Sequence, residues 1–200
     1  SIFSIQHPPQ QTKKTMSTYY TEHTIIFHNG AFVKASDTKM DLYSQSLHYG
    51  YSVFEGIRSY KTASGETKIF KAVEHFDRLQ HSAESINLPY HWTTDELIEA
   101  TYEVLKRNNL GDAYIRPIVY APSNMTFAKN TESMIAIMAW EMQPFLGDKL
   151  LRIMSSSFQR PNPKGFNITA KAAGHYVNSI LASQEAKAKG FDEALLSDMN

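Results

Sequence analysis

A lysine stands among small residues in Ala170-Lys171-Ala172-Ala173-Gly174, followed by His175 and Tyr176, between a stretch containing proline and glycine and a helical pattern. An amine placed there can reach into a cleft. A Schiff base needs a lysine whose neutral form is accessible, and partial burial with nearby cations lowers a lysine pKa toward neutrality. The small neighbours would let a flat ring approach the backbone. The stretch SLHYGYSVFEGIRSY, Ser46 to Tyr60, holds two glycines and four aromatic residues. Read as a strand from Ser52, it puts Ser52, Phe54, Gly56 and Arg58 on one face, because side chains alternate along a strand. That face would offer an apolar wall, close backbone approach and a charge. In Tyr114-Ile115-Arg116-Pro117 the spacing of two sets a phenol beside a guanidinium, a pair suited to gripping a carboxylate. Arg78, in the helical stretch EHFDRL, could bind phosphate or pair with Glu74 one turn earlier. Each pattern has a plainer reading as well: a solvated lysine, an apolar sheet face, an exposed arginine beside a packed tyrosine. Taken singly, none decides.

The elements that must carry these residues follow from periodicity. Thr24 to Phe27, Asn29-Gly30 and Ala31 to Val33 predict a hairpin, since Asn-Gly supplies the positive φ angles of a tight turn. Ser52 to Tyr60 reads as a strand, with Lys68 to Lys71 as its partner across the turn Thr62 to Glu66. Val73, Phe76, Leu79, Ala83 and Ile86 then recur at spacings of three and four, one face of a helix. A second helix opens at Thr93 with Glu96 as a capping box, carries Leu97, Ala100, Val104 and Leu105, and stops near Asn109-Leu110-Gly111. Strands are expected over Ala113 to Ala121, Ser133 to Met142, Leu150 to Ser157 and Glu193 to Asp198. Phe158 to Thr169 reads as a loop and Tyr176 to Lys189 as a helix.

Residues 1–17 are expected to be a flexible extension, with Met16 a candidate natural start. Residues 18–142 would form a small α+β domain, 143–150 a linker, and 151–200 the start of a larger, β-rich second domain. The ending Asp198-Met199-Asn200 looks like the lip of a hairpin without its return strand, so the chain is expected to be a fragment.

Bulk composition removes several function classes. The 20 basic and 20 acidic residues cancel, which leaves no broad basic field for nucleic acid or anionic membrane. There is no cysteine, so thiolate metal sites, disulfide scaffolds and cysteine nucleophiles are excluded. No apolar run is long enough to cross a bilayer. No glycine-rich phosphate loop lies between a strand and a helix.

Taken together, LHYGYSVFEGIRSY, EHFDRLQHSA, AYIRP, AW followed by FLG, and AKAAGHY leading into EAKAKGFDEALLSD resemble the branched-chain amino acid aminotransferases, of fold type IV among pyridoxal-phosphate enzymes. The resemblance spans nearly everything from Ile25 to the last residue. It implies an α+β, two-domain fold and pyridoxal 5'-phosphate as cofactor. It implies amino acids and 2-oxo acids as substrates, a homodimer or higher homo-oligomer, and a cytoplasmic enzyme. Lys171 matches the lysine that forms the internal aldimine and later shuttles the α-proton, Arg78 the arginine that binds the cofactor phosphate, and Tyr176 the tyrosine near the cofactor's 3-hydroxyl. Phe54, Gly56, Arg58, Tyr114, Arg116 and Trp140 match the wall of the substrate pocket, and Tyr49 a residue that reaches into the neighbouring subunit's site. No metal site is implied. His175 and Ala173 depart from the asparagine and glycine usual in the family. The acidic partner of the pyridine nitrogen and the loops that cradle the phosphate are implied to lie beyond Asn200, so 200 residues alone would bind the cofactor poorly. Within the same fold, a D-amino acid aminotransferase or aminodeoxychorismate lyase would share the lysine. An inactive binding or dimerisation module is the alternative from another class.

Overall fold

The computed structural model describes residues 19–142 and 150–198. The expected extension and nearly all of the expected linker, with the FLG stretch and the final two residues, lie outside them. Nine strands and four α-helices are present among the described residues, in two sheets. The first hairpin forms as its sequence predicts. Strands β1 (Ile25–His28) and β2 (Ala31–Lys34) pair antiparallel, and Asn29 and Gly30 turn between them at φ 48° and 86°.

The Ser46 to Tyr60 segment is more broken than alternation suggested. It opens with a five-residue helix, α1 (Gln45–Tyr49), capped by the Ser44 hydroxyl and closed by Gly50 in the left-handed region. The strand that follows is split into β3 (Ser52–Phe54) and β4 (Ile57–Lys61), where one unbroken strand was expected. The cause lies on the neighbour. Both halves pair in one continuous register with β6 (Ala113–Tyr120), which puts Glu55 opposite Pro117. Glu55 donates its N–H to the Pro117 carbonyl at 3.0 Å, but proline has no N–H to return. The ladder opens there.

Strands β5 (Thr67–Ile69) and β7 (Met134–Glu141) complete the first sheet, in the order β2-β1-β7-β6-β4-β5 with β3 also on β6. Every pairing in it is antiparallel. One face is covered by α2 (Ala72–Ser85) and α3 (Thr94–Arg107). Phe76, Leu79 and Ala83 of α2 and Leu97, Val104 and Leu105 of α3 are buried with Ile57, Ile115, Ile135 and Ile137 of the sheet. Burying each large apolar side chain contributes about 1.5–3 kcal/mol. Val73, expected on the buried face, is exposed because it stands in the helix's first turn. The capping box at the head of α3 is as expected: the Thr93 hydroxyl accepts the Glu96 N–H at 3.2 Å, and Glu96 accepts the Thr93 N–H at 2.8 Å. Thr93→Ala should therefore cost about 1 kcal/mol. A urea unfolding curve should show a lower midpoint at unchanged slope.

The second sheet holds β8 (Ile153–Gln159) and β9 (Glu193–Ser197), parallel and joined through α4 (Tyr176–Ala188). β8 begins three residues later than expected and runs two residues into the expected loop. Leu150 itself is exposed and outside the strand. Among the described residues no helix is long and apolar enough to cross a membrane.

Candidate functional site

The uncovered face of the first sheet carries the residues that alternation grouped, and the loop bearing Lys171 docks against its edge. β6 takes one edge of β3. The other edge meets the lysine loop: Phe54 donates its N–H to the Lys171 carbonyl at 3.2 Å, and Val53 bridges Ala172. From the helical side, the fully buried Ser82 hydroxyl of α2 accepts the Lys171 N–H at 3.0 Å. The backbone of Lys171 is therefore clamped between a strand and a helix. The turn that follows, Ala173–His175, is held by the Gly174 N–H donating to Gly50 O at 3.1 Å. The two glycines approach so closely that a Cβ on Gly50 would stand 2.6 Å from Gly174 Cα, and Gly50 already needs φ +65°.

The Lys171 amine half-emerges into a cavity of about 350 Å³ that Arg78, Tyr176 and His175 also line. Its Nζ donates to Tyr176 Oη at 2.6 Å and lies 5.1 Å from the centre of the Phe54 ring. The rings of Phe54 and Tyr176 meet at 4.9 Å. Burial lowers the His175 pKa, so its imidazole favours the neutral form there, edge-on to Phe166.

Arg78 does not pair with Glu74, which instead meets Lys71 at 3.2 Å. It forks onto Glu55, with Nε donating to Oε1 at 2.5 Å and Nη2 to Oε2 at 2.7 Å. Glu55 is wholly buried, and His75 Nδ1 is 3.0 Å from the same Oε2. Burial pushes the Glu55 carboxyl pKa up, but the hydrogen bonds and charges of Arg78 and His75 outweigh it and hold it below the ordinary carboxylate value. A depressed folded pKa means the pair supports the fold through neutral pH, and that support is lost as pH falls through the lowered value. The same contacts raise the Arg78 pKa.

On the far side of Phe54 lies the second group. Arg116 stacks its guanidinium over Phe54, 4.6 Å from the ring centre, and Nη2 donates to Tyr114 Oη at 3.0 Å. Register makes Arg58, Tyr114 and Trp140 cross-strand neighbours, and the Tyr114 and Trp140 rings stack at 5.1 Å. Gly56 is required beneath the Tyr114 phenol, because a Cβ there would come within 2.2 Å of Tyr114 Oη. Arg58, Tyr114, Arg116 and Trp140 line a larger cavity of about 990 Å³. Arg116 Nε is buried without a hydrogen-bond partner among the described residues. An orphaned buried donor costs free energy.

The expected residues thus fall into two groups with Phe54 between them: Lys171, Tyr176 and Arg78 on one side, and Gly56, Arg58, Tyr114, Arg116 and Trp140 on the other. Tyr49 joins neither. It is exposed beside Phe127, with ring centres at 5.3 Å. Glu55, Ser82 and Gly50 were missed. Glu55 lies inside the FEGIR stretch, but its side chain points to the helical face, and nothing in its spacing ties it to Arg78.

An amine, a phenol and the guanidiniums of Arg78 and Arg160 around a cavity of about 350 Å³ fit a flat ring carrying an aldehyde, a hydroxyl and a phosphate. The volume sits at the lower end of the usual range for small-molecule sites, about 300–1,000 Å³.

Comparison with known proteins agrees. The family model for class IV amino-transferases matches residues 52–200. The branched-chain-amino-acid aminotransferase of Salmonella typhimurium is 38% identical over 184 residues, covering 88% of this chain and 59% of that protein. A crystal structure of the Escherichia coli branched-chain amino acid aminotransferase superposes with a TM-score of 0.84 at 35% identity, covering 89% of this chain and 60% of that one. The branched-chain amino acid aminotransferase from Thermobaculum terrenum, in its PLP-form (holo-form), gives a TM-score of 0.79 at 31% identity, with 90% and 60% covered. The chain spans about 59% of the length of the curated relatives it matches. Its α+β architecture is that of the fold-type IV aminotransferases.

Proposed function

The chain belongs to the class IV aminotransferases, and we propose that the full-length protein moves amino groups between branched-chain L-amino acids (leucine, isoleucine, valine) and 2-oxoglutarate with pyridoxal 5'-phosphate. The observation that carries this reading is the convergence of Lys171, Tyr176 and Arg78 on one cavity, with the Phe54 ring set between Tyr176 and the Arg116 guanidinium. Lys171 would hold the cofactor through its amine, Tyr176 would sit by the ring hydroxyl, and Arg78 would bind the phosphate. Bound pyridoxal phosphate supplies the electron sink that lets the α-C–H bond of an amino acid ionise.

The chain's own residues do the rest. Lys171 Nζ, hydrogen-bonded to Tyr176 Oη at 2.6 Å, is the amine set to take and return the substrate's α-proton. Phe54 and Trp140 would offer apolar surface to a branched aliphatic side chain. Arg116 gives the site its second character. With Nη2 on the Tyr114 phenol it would be quiet beside an aliphatic chain, and the guanidinium lining the larger cavity would receive the extra carboxylate of 2-oxoglutarate or glutamate.

Two further parts belong to the same reading. Residues 18–142 act as the small domain and 151–200 open the cofactor-binding one, and the enzyme works in the cytoplasm as a homodimer. Leu42, Tyr43, Leu47, Tyr49 and Phe127 expose large apolar surface around the α1 turn, with Phe127 at 89%, which supports cover by a second copy. Tyr49 would then serve the partner's site.

The test is a donor comparison in the full-length protein loaded with pyridoxal phosphate. With 2-oxoglutarate as acceptor, L-leucine should yield glutamate while D-alanine yields none. Turnover of D-alanine in place of leucine would assign the chain to a D-amino acid aminotransferase instead. A pyruvate-releasing activity on aminodeoxychorismate would assign it to the lyases.

A further inference from the structure

Glu55 is the most deeply buried charged group in the described residues and has no part in the chemistry above. We infer that it is a positioning residue for phosphate recognition, locking the Arg78 guanidinium from behind so that its remaining donors face the cavity in a fixed plane. The inference rests on the proposed function, since the phosphate is the cofactor's.

The geometry is specific. Glu55 does not line the cavity, whereas Arg78 does. Both carboxylate oxygens are engaged by Arg78, through Nε at 2.5 Å and Nη2 at 2.7 Å, and the fork does not engage Nη1. The carboxylate is itself anchored. Its backbone N–H is tied to the Pro117 carbonyl at 3.0 Å, its Oε2 accepts the Gly56 N–H at 3.3 Å, and His75 Nδ1 lies 3.0 Å away. The opening of the ladder opposite Pro117 lies beside Glu55, whose side chain reaches toward α2. Arg78 needs this support, because it is a long helical side chain with 54% of its surface exposed. Unheld, such a side chain would have to be ordered at the moment of binding, at about 0.5–1.5 kcal/mol for a rotamer-rich group.

A charge consequence follows. The Glu55 carboxylate offsets the Arg78 cation, so the pair attracts a phosphate through directed hydrogen bonds more than through net charge. A lysine at the same place would keep the cation and lose the planar fork.

The test uses the full-length protein and two probes, pyridoxal phosphate and pyridoxal, which lacks the phosphate. Binding is read by titrating the Lys171-dependent visible absorption. Glu55→Gln keeps the side-chain shape and removes the charge and one acceptor. It should weaken pyridoxal phosphate about 10-fold while leaving pyridoxal within about 2-fold, which serves as the control for an intact fold. Glu55→Asp, which keeps the charge but draws the carboxylate back from the Arg78 fork, should give a selective loss in the same direction, and it decides the matter if the glutamine variant does not fold. Equal losses for both probes, or no loss for either, would overturn the inference and leave Glu55 a purely structural residue. Failure of the unaltered protein to develop the band with either probe would instead sink the proposed function beneath it.

Discussion

Lys171→Ala in the full-length protein is expected to abolish the lysine-dependent visible absorption with pyridoxal phosphate and to lower transamination by at least about 10³-fold. General acid–base catalysis by one side chain is worth about 10²–10⁴-fold, and this amine is also asked to hold the cofactor. The fold should survive. The contacts that seat the lysine loop are made by the backbone, through the Lys171 N–H to Ser82 and the Lys171 carbonyl to Phe54, and alanine keeps both. Thermal unfolding of the cofactor-free variant should therefore match the parent, while the absorption and the activity vanish together. A variant that kept the band would show that another lysine carries the cofactor.

Arg116→Gln is expected to separate the two substrate classes. Removing one partner of a buried charged contact costs about 2–5 kcal/mol, so kcat/KM for glutamate should fall roughly 10²-fold. The leucine side chain brings no second carboxylate, so on the proposed reading leucine turnover should stay within about 3-fold. The separation is measured as the ratio of the two kcat/KM values in the parent and the variant. Equal falls would mean that Arg116 supports the wall rather than reading the carboxylate, consistent with its stacking over Phe54 at 4.6 Å.

Features whose cause is local were legible in the sequence. The Asn29-Gly30 turn, the Thr93–Glu96 capping box and the buried faces of α2 and α3 each depend on residues within a few places of one another. Strand alternation correctly grouped Phe54, Gly56 and Arg58, and Tyr114 with Arg116, because both strands lie in one sheet with a single uncovered face. Where the cause was distant, the reading fell short. The break between β3 and β4 comes from Pro117, whose place opposite Glu55 depends on register that no local pattern encodes. Arg78 found Glu55 rather than Glu74 because packing a helix on a sheet brings a buried carboxylate nearer than a solvated one four residues away. The five-residue helix α1 is too short to show a period, and only its cap Ser44 and its terminal Gly50 mark it.

The candidate site divides the same way. Each residue type was visible, and the family resemblance joined them into one set. The backbone clamp on Lys171 was not visible, since Ser82, Gly50 and the edge of β3 meet the lysine loop only in three dimensions.

Chemical trapping shows which lysine of the protein holds the cofactor. The full-length protein would be loaded with pyridoxal phosphate, reduced with borohydride, digested and mapped by mass spectrometry. A phosphopyridoxyl group is expected on the peptide bearing Lys171 and on no other. The label on a different lysine, or an unlabelled protein, would contradict this assignment.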